Sequence, residues 1–229
     1  MAAPVPTPAI EARGLSRVLP GPVPVTLVDN VSLAIAKGEM VAVTGASGSG
    51  KSSLLYLLGL LDTPTQGSVW VDGQDMARLP PAEMAAVRLA RLGFVFQFHF
   101  LLPEFSVLDN VTLPIRKLGR LDAADVRARG EALLVDLGLA DHMRKFPDQL
   151  SGGQRQRVAV ARALANDPLV VLADEPTGNL DSRNARAVFD IFIRLAHERK
   201  CAIALVTHEQ NLADLADRRL TMTDGRLTG

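Results

Sequence analysis

The sequence predicts an α/β fold built on a parallel sheet, and three observations predict it. Four short apolar runs recur along the chain: Met40 to Thr44, Gly93 to Phe96, Leu169 to Ala173 and Ala202 to Thr207. Both faces of each run are apolar, the pattern of strands buried on two sides. Helix-like segments at Ser52 to Leu61, Asp122 to Gly138 and Gln154 to Asn166 lie between them and give a βα alternation. Finally, the four runs end at GASGSGKSS, Gln97, Asp174-Glu175 and His208. Open parallel sheets bind ligands beyond the carboxyl ends of their strands, so these polar groups converge on one edge.

Around these elements the chain is organised simply. Residues 1–9 are Ala/Pro-rich and read as a loose tail, and 10–229 as one domain. Pro20, Pro22 and Pro24 around Gly21 mark a loop between two strand-like runs. The stretch from about Phe98 to Arg157 reads as mostly helical, a subdomain inserted between core strands. At 229 residues and 48% apolar composition the chain can bury one large core with a smaller subdomain on it. Lys plus Arg equal Asp plus Glu at 25 each, without a block of like charge, which argues against a nucleic-acid partner. The longest apolar stretch, near Leu54 to Leu61, falls short of the roughly 20 residues that cross a bilayer, so any membrane role is expected to be peripheral. The N-terminal MAAPVPTPAI lacks the basic start of a secretory signal, and a lone Cys201 forms no internal disulfide; both point to the cytoplasm.

The segment Gly45-Ala46-Ser47-Gly48-Ser49-Gly50-Lys51-Ser52, continued by Ser53, fits the Walker A pattern, follows an apolar strand and opens a helix. Glycines let backbone amides turn inward around phosphate oxygens at a helix N-terminus that already favours anions. Lys51 is expected to reach the β and γ phosphates and the Ser52 hydroxyl to ligate Mg2+. The run LVVLADE, Leu169 to Glu175, ends in two acids as a Walker B strand does. Asp174 is expected to hold the Mg2+ shell and Glu175 to act as general base. Read without the Walker A segment, Asp174 to Asp181 is equally a polar loop.

The pentapeptide Leu150-Ser151-Gly152-Gly153-Gln154 precedes a helix and matches the ABC signature. Alone it is also an ordinary helix N-cap. Together with the Walker segments, Gln97, Asn179-Leu180-Asp181 and His208 in this order, it means that the chain resembles the ATPase subunits of ABC transporters. That resemblance implies a P-loop NTPase core with an N-terminal antiparallel β subdomain and an inserted helical subdomain at about 98–157. It implies ATP and Mg2+ as cofactors, with Ser52, Asp174 and Gln97 near the metal, and Lys51, Glu175, His208 and Gln97 serving catalysis. It also implies a head-to-tail dimer in which Ser151, Gly152, Gly153, Gln154 and Asp181 of one copy complete the nucleotide site of the other.

One departure concerns the base. The family stacks adenine on an aromatic residue before the Walker A strand, whereas Leu15-Ser16-Arg17-Val18-Leu19 has none, and Val18 is the aligned position. Weaker nucleotide affinity and poorer ATP-over-GTP preference are expected. Five of eight phenylalanines, Phe94, Phe96, Phe98, Phe100 and Phe105, crowd around Gln97. Strand burial accounts for the first two; the rest suggest a docking surface, which the resemblance assigns to two membrane permease subunits. The stretches Leu92 to Phe105 and Asp224 to Thr228 are similar to the lipoprotein-releasing subfamily, with MacB-type exporters and FtsE-like cell-division ATPases as neighbours. A soluble ABC ATPase of nucleic acid would carry coiled coils, fused cassettes or a basic surface, and a P-loop kinase would lack the signature pentapeptide.

Overall fold

The structure is a computed structural model, and it describes residues 7–228. Two sheets form the framework. The first pairs β1 (Ile10–Leu19), β2 (Val25–Ile35), β4 (Gln66–Val71) and β5 (Gln74–Asp75) in the order β2-β1-β4-β5, all antiparallel. The turn from β1 to β2 is the proline-rich segment 20–24. The second sheet contains β3 (Met40–Thr44), β6 (Leu92–Phe96), β7 (Val170–Asp174), β8 (Ala202–Val206), β9 (Arg218–Thr223) and β10 (Arg226–Thr228) in the order β10-β9-β3-β8-β7-β6. Its first five members after β10 run parallel, and β10 closes the edge antiparallel to β9. The four apolar runs of the sequence are thus adjacent strands of one parallel sheet.

Why those runs are apolar on both faces is visible in where alternate residues go. Val41, Val43, Val170, Leu172, Ala204 and Val206 pack with α1 (Lys51–Leu58) and the antiparallel sheet. Met40, Ala42, Val171, Ala173, Ile203 and Leu205 face the opposite core, with α5 (Gly152–Ala163) and α6 (Ser182–Arg199). A period-2 strand sandwiched between two layers leaves no polar face.

Three further helices, α2 (Pro81–Arg91), α3 (Val107–Leu118) and α4 (Ala123–Asp136), complete the body with the single-turn α7 (Gln210–Ala213). The helical insert consists of α3, α4 and α5, but residues 97–106 have no regular structure and α5 continues to Ala163. The tail boundary set at residue 9 is corrected. Ala9 is buried, its N–H donates to the Ile35 carbonyl at 2.9 Å and its carbonyl accepts from Asp72 N–H at 3.0 Å, so an apolar small residue already belongs to the antiparallel sheet. Residues 1–6 of the expected tail lie outside the described residues.

Candidate functional site

Strand register sets the site. Phe96 pairs with Asp174, Asp174 with Val206, and Val206 with Val43. The next residues, Gln97, Glu175, Thr207-His208 and Thr44-Gly45, therefore emerge side by side at one sheet edge.

The loop after β3 needs its glycines. Gly45 has φ 147° and Gly50 φ 102°, and a Cβ would overlap the Met222 carbonyl oxygen at Gly45 and that of Leu27 at Gly50. Lys51 is buried, and its Nζ donates to the carbonyls of Gly45 at 3.0 Å and Ala46 at 2.7 Å, laying a cation along the loop. Ala46, Ser47 and Gly48 are exposed, Ser53 is half-buried, and Ser49 Oγ is buried without a hydrogen-bond partner. A buried hydroxyl left unpaired costs about 1 to 3 kcal/mol, which suits a loop organised for a polar ligand. The first turn of α1 offers Ser52, whose hydroxyl donates to Asp174 Oδ1 at 2.9 Å. Burial pushes the Asp174 carboxyl above its ordinary range, against the Ser52 and Tyr56 hydroxyls that lower it. A carboxylate held dry beside a hydroxyl gains from a cation.

Glu175 adopts φ 45°, a left-handed conformation that a non-glycine residue holds only under surrounding constraint. Its N–H donates to the Val206 carbonyl at 3.0 Å, and its own carbonyl accepts from Gly178 at 3.1 Å. The turn aims its side chain at His208, whose Nδ1 lies 3.2 Å from Glu175 Oε2, with the imidazole 60% exposed. Gln97 joins the same edge through Asn179, whose Nδ2 donates to the Gln97 carbonyl at 3.2 Å. Gly45 to Ser53, Gln97, Asp174, Glu175 and His208 are thus brought together.

Ser151 to Gln154 and Asp181 stand elsewhere. Ser151 caps α5 reciprocally, accepting from Gln154 N–H at 3.3 Å while Gln154 Oε1 accepts from Ser151 N–H at 2.9 Å. Gly153 is packed against the Asn184 side chain, and Ser151 remains exposed. The helix α5 packs on α3, α4, α6 and β6, whereas α1 packs on β1, β2, β7 and β8. Among the described residues no hydrogen bond joins the two groups. Asp181 caps α6, accepting from Asn184 N–H at 2.9 Å and from its Nδ2 at 2.6 Å, which holds the carboxyl below its ordinary range. At the far end of β1, Val18 is half-buried and Leu19 is the more exposed side chain.

The aromatic segment is an exposed surface with a scaffold that composition does not show. Phe98 and Phe100 are each 64% exposed. Asn110 of α3, fully buried, pins the segment: its Oδ1 accepts from Leu102 N–H at 2.8 Å and its Nδ2 donates to the carbonyls of Leu102, Phe105 and Ser106 at 3.1, 3.1 and 3.0 Å. Arg162 of α5 donates to the carbonyls of Phe100 at 2.6 Å and His99 at 2.7 Å. Next to it a groove of about 480 Å³ runs between α2, α3 and β6, lined by Leu89, Phe94, Phe96, Leu113, Pro114 and Arg162 among others. Sequence reasoning missed Asn110, Arg162 and the α2 wall. Their signals, an Asn inside a helix and an Arg in an apolar helix face, acquire meaning only once the loop is folded over them.

A Walker A loop, a desolvated acid beside its serine and a glutamate paired with a histidine at the end of a parallel sheet define a P-loop ATPase site. The ABC transporter family model matches residues 28–178. The lipoprotein-releasing system ATP-binding protein LolD of Aquifex aeolicus (strain VF5) is 47% identical over 220 residues, covering 96% of this chain and 96% of that protein. LolD of Bordetella avium (strain 197N) is 52% identical over 220 residues, covering 96% and 95%. Among solved structures, the dimeric ABC transporter cassette MJ0796 superposes with a TM-score of 0.89 at 37% identity, over 96% of this chain and 97% of that one. A post-hydrolysis state of MJ0796 bound to ADP and Pi matches at a TM-score of 0.89 and 36% identity. The chain belongs to the ABC transporter family, as an ATP-binding and ATP-hydrolysing subunit.

Proposed function

We propose that this chain powers the release of lipoproteins from the bacterial inner membrane, working as two copies under a pair of LolC/LolE-like permeases. The observation that carries the reading is the convergence of Lys51, Ser52, Asp174, Glu175 and His208 at one sheet edge, in a chain that is LolD-like over 96% of its length.

The chemistry assigns a part to each group. Lys51 exchanges the carbonyls of Gly45 and Ala46 for phosphate oxygens, and the amides of residues 45–53 supply the remaining donors. The donor set fits Mg2+: the Ser52 hydroxyl and Asp174 carboxylate sit 2.9 Å apart, both hard oxygen ligands. Ser52 and Asp174, with Gln97 at the same sheet edge, are the residues that would hold the ion. When bound, the ion neutralises charge on the phosphates. Glu175 takes the proton of the attacking water, and His208, 3.2 Å away, fixes the carboxylate and reaches the γ-phosphate. Ser151, Gly152, Gly153 and Gln154 of the second copy, with its Asp181, close over the nucleotide. One chain carries two separated half-sites, which a two-fold dimer completes in pairs.

The segment Gln97 to Phe105 and the adjoining groove receive the permeases. Closure of the dimer reaches them through Gln97, one bond from the β6 strand and tied to Asn179 in the loop after Glu175. No described helix is long and apolar enough to cross a membrane; the peripheral place on the cytoplasmic face of the inner membrane is part of the LolD-like reading. The test is to tag the Glu175→Gln chain in its native host, solubilise membranes with ATP present and identify what co-purifies. Permeases with large periplasmic domains together with lipoproteins support the reading; permeases without lipoproteins remove the cargo and keep the transporter.

A further inference from the structure

The signature pentapeptide is held by a residue outside it. Gln154, the third residue of α5, uses both ends of its side-chain amide. Its Oε1 accepts from Ser151 N–H at 2.9 Å, and its Nε2 lies 2.9 Å from Nε2 of His142. The first bond decides the second. A backbone N–H needs an oxygen, so the amide nitrogen is left facing the ring, and an amide nitrogen only donates. His142 Nε2 is therefore the acceptor, and the ring carries its hydrogen on Nδ1. That Nδ1 is buried and has no hydrogen-bond partner among the described residues. Buried polar atoms without partners are rare and costly, and an apolar side chain would leave none here. What the imidazole supplies that an apolar side chain would not is the lone pair at Nε2.

The ring is delivered by a turn fixed on both sides. His142 closes the single turn Ala140–His142, its N–H donating to the Leu139 carbonyl at 3.0 Å and its carbonyl accepting from Lys145 N–H at 3.0 Å. Leu139 is fully buried in the core that also holds Leu150, Val158 and Val160 of the signature segment and α5. After the turn, the Met143 and Lys145 carbonyls accept from Leu108 N–H at 3.0 Å and Val107 N–H at 2.8 Å, in the first turn of α3.

We infer that His142 is a positioning residue for the half-site that one copy supplies to the other: it orients the Gln154 amide, which holds Ser151 N–H and with it the serine that faces the nucleotide across the dimer. The inference rests on the reading in which Ser151 to Gln154 complete the nucleotide site of a second copy. Ser151 is exposed, and the other bond of its capping box, from Gln154 N–H to Ser151 Oγ, is long at 3.3 Å. An anchored Gln154 amide therefore orders a segment that dimer closure would otherwise have to order itself, and preorganisation of that kind strengthens association.

The test uses the full Glu175→Gln chain with ATP and Mg2+, and adds His142→Leu, His142→Arg or His142→Gln to it. Leucine removes the acceptor, arginine sets donors against the amide donor, and the glutamine carbonyl restores an acceptor. Sedimentation over a range of chain concentrations gives the dimer dissociation constant. Fluorescent-ATP titration at low chain concentration gives the affinity of the monomer's own Walker A site, and circular dichroism confirms folding. Leucine and arginine are expected to raise the dissociation constant at least about fivefold, the loss of one ordinary hydrogen bond, with the monomer's ATP affinity unchanged. Glutamine is expected to stay within about twofold of the parent. If His142→Leu does not fold, arginine and glutamine make the same comparison. Equal dissociation constants for the parent and the leucine and arginine variants, or a glutamine variant as weak as arginine, overturn the inference and leave the shared site in place. A parallel loss of monomer ATP affinity overturns it too, since it marks general damage. A parent that binds ATP and stays monomeric overturns the shared-site reading itself.

Discussion

Replacing Asn110 with leucine tests how the docking segment is held. The side chain is fully buried and nearly isosteric with leucine, so the change removes hydrogen bonds rather than volume. Four bonds end on it, but not all leave an orphan. The Ser106 carbonyl keeps the Asn110 N–H at 2.9 Å, and the Leu102 carbonyl keeps Phe105 N–H at 3.2 Å. Leu102 N–H and the Phe105 carbonyl lose their side-chain partner outright. Two orphaned backbone groups, partly reachable by water, cost about 3 kcal/mol together. For a chain of 229 residues that corresponds to a melting temperature lower by about 6 to 12 °C. Thermal unfolding followed by circular dichroism measures it, and hydrogen exchange locates it: residues 101–106 should lose protection while the β3 and β7 strands keep theirs. ATPase activity of the isolated chain should change little, and stimulation by the membrane subunits should drop. A melting temperature within about 2 °C of the parent, with unchanged exchange in 101–106, refutes the claim that Asn110 organises this loop.

Other perturbations follow from the site. Glu175→Gln should lower the steady-state ATP hydrolysis rate by at least about a hundredfold while preserving ATP binding; retention of most of the rate removes Glu175 as general base. An aromatic at the end of β1, as Val18→Tyr or Leu19→Tyr, should tighten ATP by about 1 to 3 kcal/mol through base stacking and improve discrimination against GTP. If neither variant gains affinity in equilibrium titration, the base does not lie against this strand. Burial raises the Asp174 carboxyl above its ordinary 3.8. The folded chain therefore binds that proton more tightly than the unfolded one, and stability falls as pH rises from 3.8 through the folded value. Without nucleotide, Asp174→Asn should melt higher than the parent at pH 7 and lose that advantage near pH 4; the same offset at both pH values contradicts a desolvated carboxyl.

The parallel sheet was legible because β3, β6, β7 and β8 are buried on both faces, and residues such as Val41 and Ala42 serve opposite cores. Ser52 and Asp174, distant in sequence, could be paired in advance because motif and strand end both specify a metal-nucleotide edge. The helix α6, by contrast, is opened by Asp181, a residue that also fits a dimer contact, and its amphipathic face is masked by Arg and Asp on the other side. The strand β9 lies inside the sheet but opens with exposed Arg218 and Arg219, and β10 is a three-residue edge strand with exposed Arg226, so their apolar signal is weak. Ala9 looked like tail because alanine and proline carry no strand signal, yet pairing with Ile35 and Asp72 buries it.

The measurement that tests the central claim most directly is the molar mass of the purified Glu175→Gln chain by light scattering, with and without ATP and Mg2+. The account predicts a doubling on adding nucleotide, abolished by Ser151→Arg, which blocks the half-site supplied by the other copy. A chain that binds ATP and stays monomeric, or a dimer indifferent to Ser151→Arg, would contradict a nucleotide site shared between two copies.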